Sequence, residues 1–203
     1  MSYYRTLPIS NDKNLRAYII GLAIGDGNLS KVNHTTRLRI SCDDKYPTLQ
    51  KRITESLKLL LPNNKIGTVK NPKNCTDIYV YSNYLEKLLG WKATEGSKFI
   101  QNVSGPKWIH KSIKYKINYL KGIIETDGSI YCDRGYPMVM ITTIIKDLAV
   151  ELKDIVDSLG FKCHMYEIDG RKNKYNYKRQ IEYHIRLSKD VQKFLDLVKP
   201  NKS

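Results

Sequence analysis

The chain is 203 residues long, 41% hydrophobic, and carries 35 Lys and Arg against 20 Asp and Glu, a formal charge of +15. That apolar content can bury a core in one large domain or two small ones and excludes a disordered chain, while the basic balance is the electrostatic footprint of a polyanion partner. The longest apolar run, residues 19–24, is far short of the ~20 residues a membrane-spanning helix needs. The N-terminus also lacks a signal-peptide apolar region, so the expectation is an intracellular protein that stays with its host genome and meets no membrane.

Residues 1–11 read as an arm ending in Ser10 or Asn11 as a helix cap. A helix is expected over 12–25, with Leu15, Ile19 and Leu22 on one face and Gly21 and Gly25 one turn apart. Each glycine costs a helix interior ~0.5–1 kcal/mol against alanine, so the pair implies that another helix backbone comes close. The period then switches to two. Strands are expected over 28–32 and 36–42, the second alternating Leu38, Ile40 and Cys42 with Arg37, Arg39 and Ser41. A helix over 46–61, strands over 65–70 and 77–82, and a short helix over 84–89 ending at Gly90 complete a half.

Residues 91–112 have little periodicity and read as a linker anchored by Trp108 and Ile109. The order then repeats. Ser112 caps a helix whose stripe is Ile113, Ile117, Leu120 and Ile124; strands follow over 128–133 and 137–143, a helix over 146–159, strands over 161–168 and 181–188, and a last helix over 190–198. Val139 and Ile141 match Leu38 and Ile40 at an offset of 101. Residues 169–180 read as an extended basic hairpin tip, beyond which an offset of 106 pairs Ser82, Lys87 and Leu89 with Ser188, Lys193 and Leu195. That offset also pairs Val80 with Arg186, so either one strand's alternation or the alignment is displaced by one. The organisation is an N-terminal repeat (1–90), a linker (91–112) and a C-terminal repeat (113–203). The cysteines, Cys42, Cys75, Cys132 and Cys163, form no CxxC pair and read as small buried hydrophobes.

At the end of each first helix stands an acid before a glycine, Asp26-Gly27 and Asp127-Gly128, 101 positions apart. A lone Asp-Gly is a common turn; two at matching places, each after a helix with small-residue strips, are harder to read that way. An aspartate at a helix C-terminus opposes the macrodipole, and two helices packed through Gly21, Gly25, Gly122 and Thr126 would bring two like charges together, which demands a raised pKa or a bound cation. Mg²⁺ accepts one or two carboxylates and completes its shell with water and phosphate oxygens. In a basic protein this points to metal-assisted hydrolysis of a phosphodiester.

These residues resemble the LAGLIDADG homing endonuclease family in its monomeric two-repeat form, from about residue 14 to 197. The resemblance implies an α+β fold of two pseudo-symmetric αββαββα halves, with paired motif helices at the interface and antiparallel, saddle-shaped sheets over double-stranded DNA. It implies Asp26 and Asp127 as metal-binding and catalytic acids, the carbonyls of Gly25 and Thr126 as further ligands, and Mg²⁺ as the ion, with Mn²⁺ substituting and Ca²⁺ bound without turnover. A lysine at the end of a half's fourth strand falls on Lys189, where the first half has Asn83. The polar position after the second strand falls on Cys42 or Asp43 in one half and Thr143 in the other. Water would be the nucleophile, with no covalent intermediate. Base contacts would come from Arg37, Arg39, Ser41, Met140 and Thr142, and phosphate contacts from Lys31, Lys70, Arg134, Arg171 and Lys178. Arg37 and Arg39 against Met138 and Met140 imply a long, non-palindromic target.

Two other functions use the same scaffold: an intron RNA maturase, and a catalytically silent DNA-binding regulator. Retention of both acids favours the nuclease, and the regulator would survive Asp26→Asn and Asp127→Asn unchanged. An intein-embedded enzyme is disfavoured by the lack of splicing-type residues at the chain ends.

Overall fold

The computed structural model describes residues 9–169 and 180–201. The first half runs α1 (Lys13–Ile24), β1 (Gly27–Val32), β2 (Thr35–Asp43), α2 (Pro47–Leu60), β3 (Ile66–Asn71), β4 (Cys75–Tyr81) and α3 (Leu85–Leu89). The second runs α4 (Ile113–Thr126), β5 (Gly128–Asp133), β6 (Tyr136–Thr143), α5 (Lys146–Ser158), β7 (Cys163–Ile168), β8 (Glu182–Leu187) and α6 (Val191–Val198). Each half is therefore αββαββα, with one four-stranded antiparallel sheet ordered β1-β2-β4-β3 or β5-β6-β8-β7. The expected hairpin tip lies mostly outside the described residues.

Local chemistry explains the element ends. Asp12, rather than Ser10 or Asn11, caps α1: its Oδ1 accepts from the amides of Asn14 (2.8 Å) and Leu15 (3.3 Å) and satisfies two of the helix's orphan donors. Pro47 opens α2 at a position where a missing N–H costs nothing. From Ala17 to Ile24, α1 is buried on every side, as expected of a helix whose apolar residues surround its axis. It packs on α4, with a sheet and a second helix on either flank.

The seam between α1 and α4 is backbone against backbone. A Cβ added to Gly21 would lie 2.3 Å from the Tyr119 carbonyl oxygen, and one added to Gly122 would lie 2.3 Å from that of Tyr18 and 2.6 Å from the Leu22 nitrogen. One turn on, Gly25 meets Thr126. The contacts 21 with 122 and 25 with 126 climb both helices in the same direction, so the helices run parallel and their C-termini share one end.

Strand register settles the displaced alignment. Val80 pairs with Leu38 and Leu187 with Val139, so Val80 corresponds to Leu187 and Arg186 to Tyr79. The fourth strands are offset by one more than the following helices, whose first residues Leu85 and Val191 are both buried. The alternation holds; the turn after the fourth strand is one residue shorter in the second half.

Candidate functional site

Asp26 and Asp127 stand at the shared C-terminal end of the parallel helices. Asp127 caps α4, its amide donating to the Ile123 carbonyl at 2.8 Å. A Cβ on Gly25 would lie 3.3 Å from the Asp127 Cγ, so this carboxylate faces the residue bonded directly to Asp26. The Thr126 hydroxyl donates to the carbonyls of Gly122 (2.9 Å) and Ile123 (3.1 Å) within its own helix. That fixes its side chain in the seam.

One cation close to the two acids is supplied by the chain itself. Lys98 projects from the segment between α3 and α4, and its Nζ donates to the carbonyls of Ala23 (3.3 Å), Ile24 (2.5 Å) and Gly25. These are free acceptors at the end of α1, at the negative pole of its macrodipole. Burial lowers the Lys98 pKa, against the opposing fields of Asp127 and Asp26. Sequence reading missed this residue because residues 91–112 lack periodicity, and the requirement for a cation does not identify which lysine meets it. The segment is tightly docked: Trp91, Val103 and Ile109 are buried, and the Gln101 side chain donates to the carbonyls of Lys92 and Gly96.

A cavity flanks the acids on each side. The one beside Asp127, about 370 Å³, is lined among others by Ile24, Gly25, Lys98, Thr143 and Glu182. The one beside Asp26, about 200 Å³, is lined among others by Ser41, Cys42, Asp43, Lys45 and Glu125. Lys45 pairs with Asp43 at 3.0 Å and lies over the Tyr46 ring.

Lys189 does not reach this end. Ile185 pairs with Ile141, which pairs with Gly128 beside Asp127. At ~3.3 Å per residue, Lys189 sits ~13 Å further along the strand direction, exposed. The β8 residue at the acid end is Glu182, and the lysine is Lys98.

The open faces of the sheets carry the recognition candidates. Arg37, Arg39 and Ser41 share a face with Tyr81, Tyr79 and Asp77; Arg39 approaches Asp77 at 3.6 Å, Ser41 donates to it at 2.6 Å, and Arg37 donates to Ser30 at 3.2 Å. In the second half Met140 and Thr142 pair with Arg186 and His184. Arg186 bonds Asp133 at 3.3 Å, and Tyr166 stacks on His184 beside Met140. Arg186 was lost to the displaced alignment, yet it answers Arg39; the central strand pair of the first half carries Arg37 as well, and that of the second half carries Arg186 alone. Both guanidinium groups stay open to solvent in part, the Arg39 side chain at 40% and that of Arg186 at 35%.

Two expected phosphate contacts belong to the opposite face. Lys31 pairs with buried Thr36, on the side of Leu29, and Lys70 pairs with Thr76 beside Pro47, Gln50 and Lys51 of α2. The pleat's period of two dictates both placements; charge alone had suggested otherwise. Arg134 is exposed on the β5–β6 turn, where it and Gly135 adopt positive φ of 50° and 86°, the two-residue hairpin geometry that follows strand twist. Arg171 and Lys178 lie outside the described residues.

Two αββαββα halves, with paired helices presenting one acid each, define the LAGLIDADG fold. The chain is a two-repeat protein of this fold, and its residues 114–199 match the family of the LAGLIDADG-like domain. I-DmoI in complex with DNA and Mn aligns over 95% of this chain and 99% of its own, with a TM-score of 0.65 and 17% identity. I-DmoI with DNA and Ca aligns over 94% and 90%, with a TM-score of 0.60 and 17% identity. The N-terminal LAGLIDADG domain of DUF199/WhiA aligns over 94% and 85%, with a TM-score of 0.62 and 12% identity. In sequence, a DNA polymerase of Thermococcus hydrothermalis is 22% identical over 190 residues, 89% of this chain; the chain spans only 11% of that protein's length. No helix among the described residues is long and apolar enough to cross a membrane.

Proposed function

We propose that the protein is a monomeric, site-specific endonuclease that hydrolyses both strands of a long duplex DNA target with a divalent cation. The observation that carries this reading is the convergence of Asp26 and Asp127, one from each half, below two sheets whose central strands carry part-exposed arginines. The DNA, Mn and Ca of the I-DmoI complexes support the substrate class and the ion.

The donor set fits a hard cation. The Gly25 carbonyl already receives the Lys98 ammonium, and the two carboxylates beside it are oxygen ligands. Among the described residues no cluster of three or more His, Cys, Asp or Glu could hold a metal. Water and phosphate oxygens must therefore complete the shell, as is usual for Mg²⁺. Bound there, the ion would neutralise phosphate charge and make water more acidic. Asp26 and Asp127 would hold it, with the carbonyls of Gly25 and Thr126 as further donors. Lys98, held on the α1 carbonyls, would stabilise negative charge developing on a phosphate above the acids. Thr143 and Glu182, in the same cavity, would hold the attacking water.

Arg39 and Arg186 would read bases through paired N–H groups, and Arg37, without an arginine counterpart at Met138, makes the two half-sites unequal. The test is a randomised duplex library incubated with protein and Mg²⁺ and sequenced at its cut ends. Double-strand cuts at one long motif, abolished in Asp127→Asn, are expected; binding without cutting would overturn the proposal.

A further inference from the structure

Glu125 is the buried charge that this mechanism does not use. It is 2% exposed, one residue before Thr126 and two before Asp127 in the last turn of α4. Its Oε2 accepts from the Tyr18 hydroxyl of α1 at 2.5 Å, and its Oε1 from Arg52 Nη1 of α2 at 3.2 Å and from the Asn201 amide after α6 at 2.7 Å. Three donors thus converge on one carboxylate, two from the opposite half and one from the C-terminal segment. Lys121, one turn earlier on α4, also faces it. Burial, and then Glu125 itself, hold the Tyr18 phenol above its ordinary range, so it remains a donor wherever the protein is folded.

The position is unequal between the repeats. At the offset of 101 that aligns the two motifs, Glu125 corresponds to Ile24. Each lines the cavity beside the acid of the other half, Glu125 next to Asp26 and Ile24 next to Asp127. The surrounding seam is glycine backbone on glycine backbone, which allows close approach but supplies few side chains that could fix rotation or sliding. A buried carboxylate with directional bonds to three elements does fix them, because any shift strands a charge or a donor in the interior.

We infer that Glu125 is a positioning residue whose clamp to Tyr18, Arg52 and the Asn201 amide holds the last turn of α4 against the first half and so sets Asp127 relative to Asp26. The inference rests on the proposed function, because it assigns Glu125 an effect through the paired acids.

Mn²⁺ titrated calorimetrically into the full chain tests it, with wild type, Glu125→Gln, Tyr18→Phe and Asp127→Asn compared and each melted in chelator. The clamp predicts Mn²⁺ affinity at least tenfold weaker in Glu125→Gln and about threefold weaker in Tyr18→Phe, while Tyr18→Phe still unfolds cooperatively. A merely structural Glu125 would change melting alone: if folded Tyr18→Phe and Glu125→Gln bind Mn²⁺ as wild type does, the clamp is overturned. Should Glu125→Gln not fold, Tyr18→Phe decides by itself. Mn²⁺ binding that Asp127→Asn leaves intact, or none in wild type, overturns the paired-acid reading and removes the clamp's role with it; wild-type binding lost in Asp127→Asn but without DNA cleavage overturns the nuclease alone.

Discussion

At the residue scale, the site is defined by how charges are compensated. Lys98 sits on three carbonyls that otherwise close α1 unsatisfied. Lys98→Met is therefore expected to cost ~1–3 kcal/mol of stability in chelator, the range for stranded acceptors. Cleavage should fall ~100-fold or more, the scale of losing one preorganised donor; single-turnover cutting at the wild-type rate would remove Lys98 from the chemistry. On the sheets, position on the open face of the central strands separates Arg39 and Arg186 as readers from bystanders. Replacing either by alanine should cost ~1–3 kcal/mol of binding and relax the preference at one base position. Lys31→Ala and Lys70→Ala, on the helix-covered face, should leave the selected sequence unchanged in the same library; a changed preference would contradict the register.

At the element scale, the α1–α4 seam decides whether two halves make one site. A Cβ on Gly122 meets the Tyr18 carbonyl oxygen at 2.3 Å and the Leu22 nitrogen at 2.6 Å, both backbone, so the helices themselves must part. Gly122→Ala should then cost at least the ~1–3 kcal/mol typical of overpacking and suppress double-strand cutting by separating the acids. Gly160→Ala has open space around its Cβ but a φ of +87°, so it should cost ~1–2 kcal/mol through backbone strain without touching cleavage; equal cleavage by both variants would show that the seam does not set the acids. The seam was legible in the sequence because Gly21, Gly25, Gly122 and Thr126 sit at helical spacing before paired acids, and α4's stripe ends where Asp127 caps it. Other features had no periodic signal to reveal them. Lys98 lies in an aperiodic segment and acts through a distant helix end. Arg186 was hidden by a long hairpin that puts the fourth strands at an offset of 107 and by a shortened turn that returns the last helices to 106. Lys31 and Lys70 were misplaced by weighing charge above the pleat that Leu29 and Ile66 already declared.

At the scale of the whole molecule, one chain with two unequal halves presents two phosphates with different surroundings. The cavity beside Asp127 holds Lys98 and Glu182, and an apolar side chain, Ile24, reaches it from the other half. The cavity beside Asp26 holds the Asp43–Lys45 pair, and buried Glu125 reaches it instead. A lysine resting on the α1 carbonyls is desolvated and already placed, whereas Lys45 is largely exposed, with 62% of its side chain open to solvent, and gains less from each interaction in high dielectric. Transition-state charge should consequently be better stabilised on the Lys98 side, and the two strands should break in sequence. With each strand end-labelled separately, one nick should precede the other and nicked duplex should accumulate before linear product. Lys98→Met should slow the first nick more than the second, narrowing or reversing the order. Identical strand rates in wild type would mean that the structural inequality of the two cavities has no kinetic counterpart, and that Lys98 serves both phosphates from its place on the shared end of the helices.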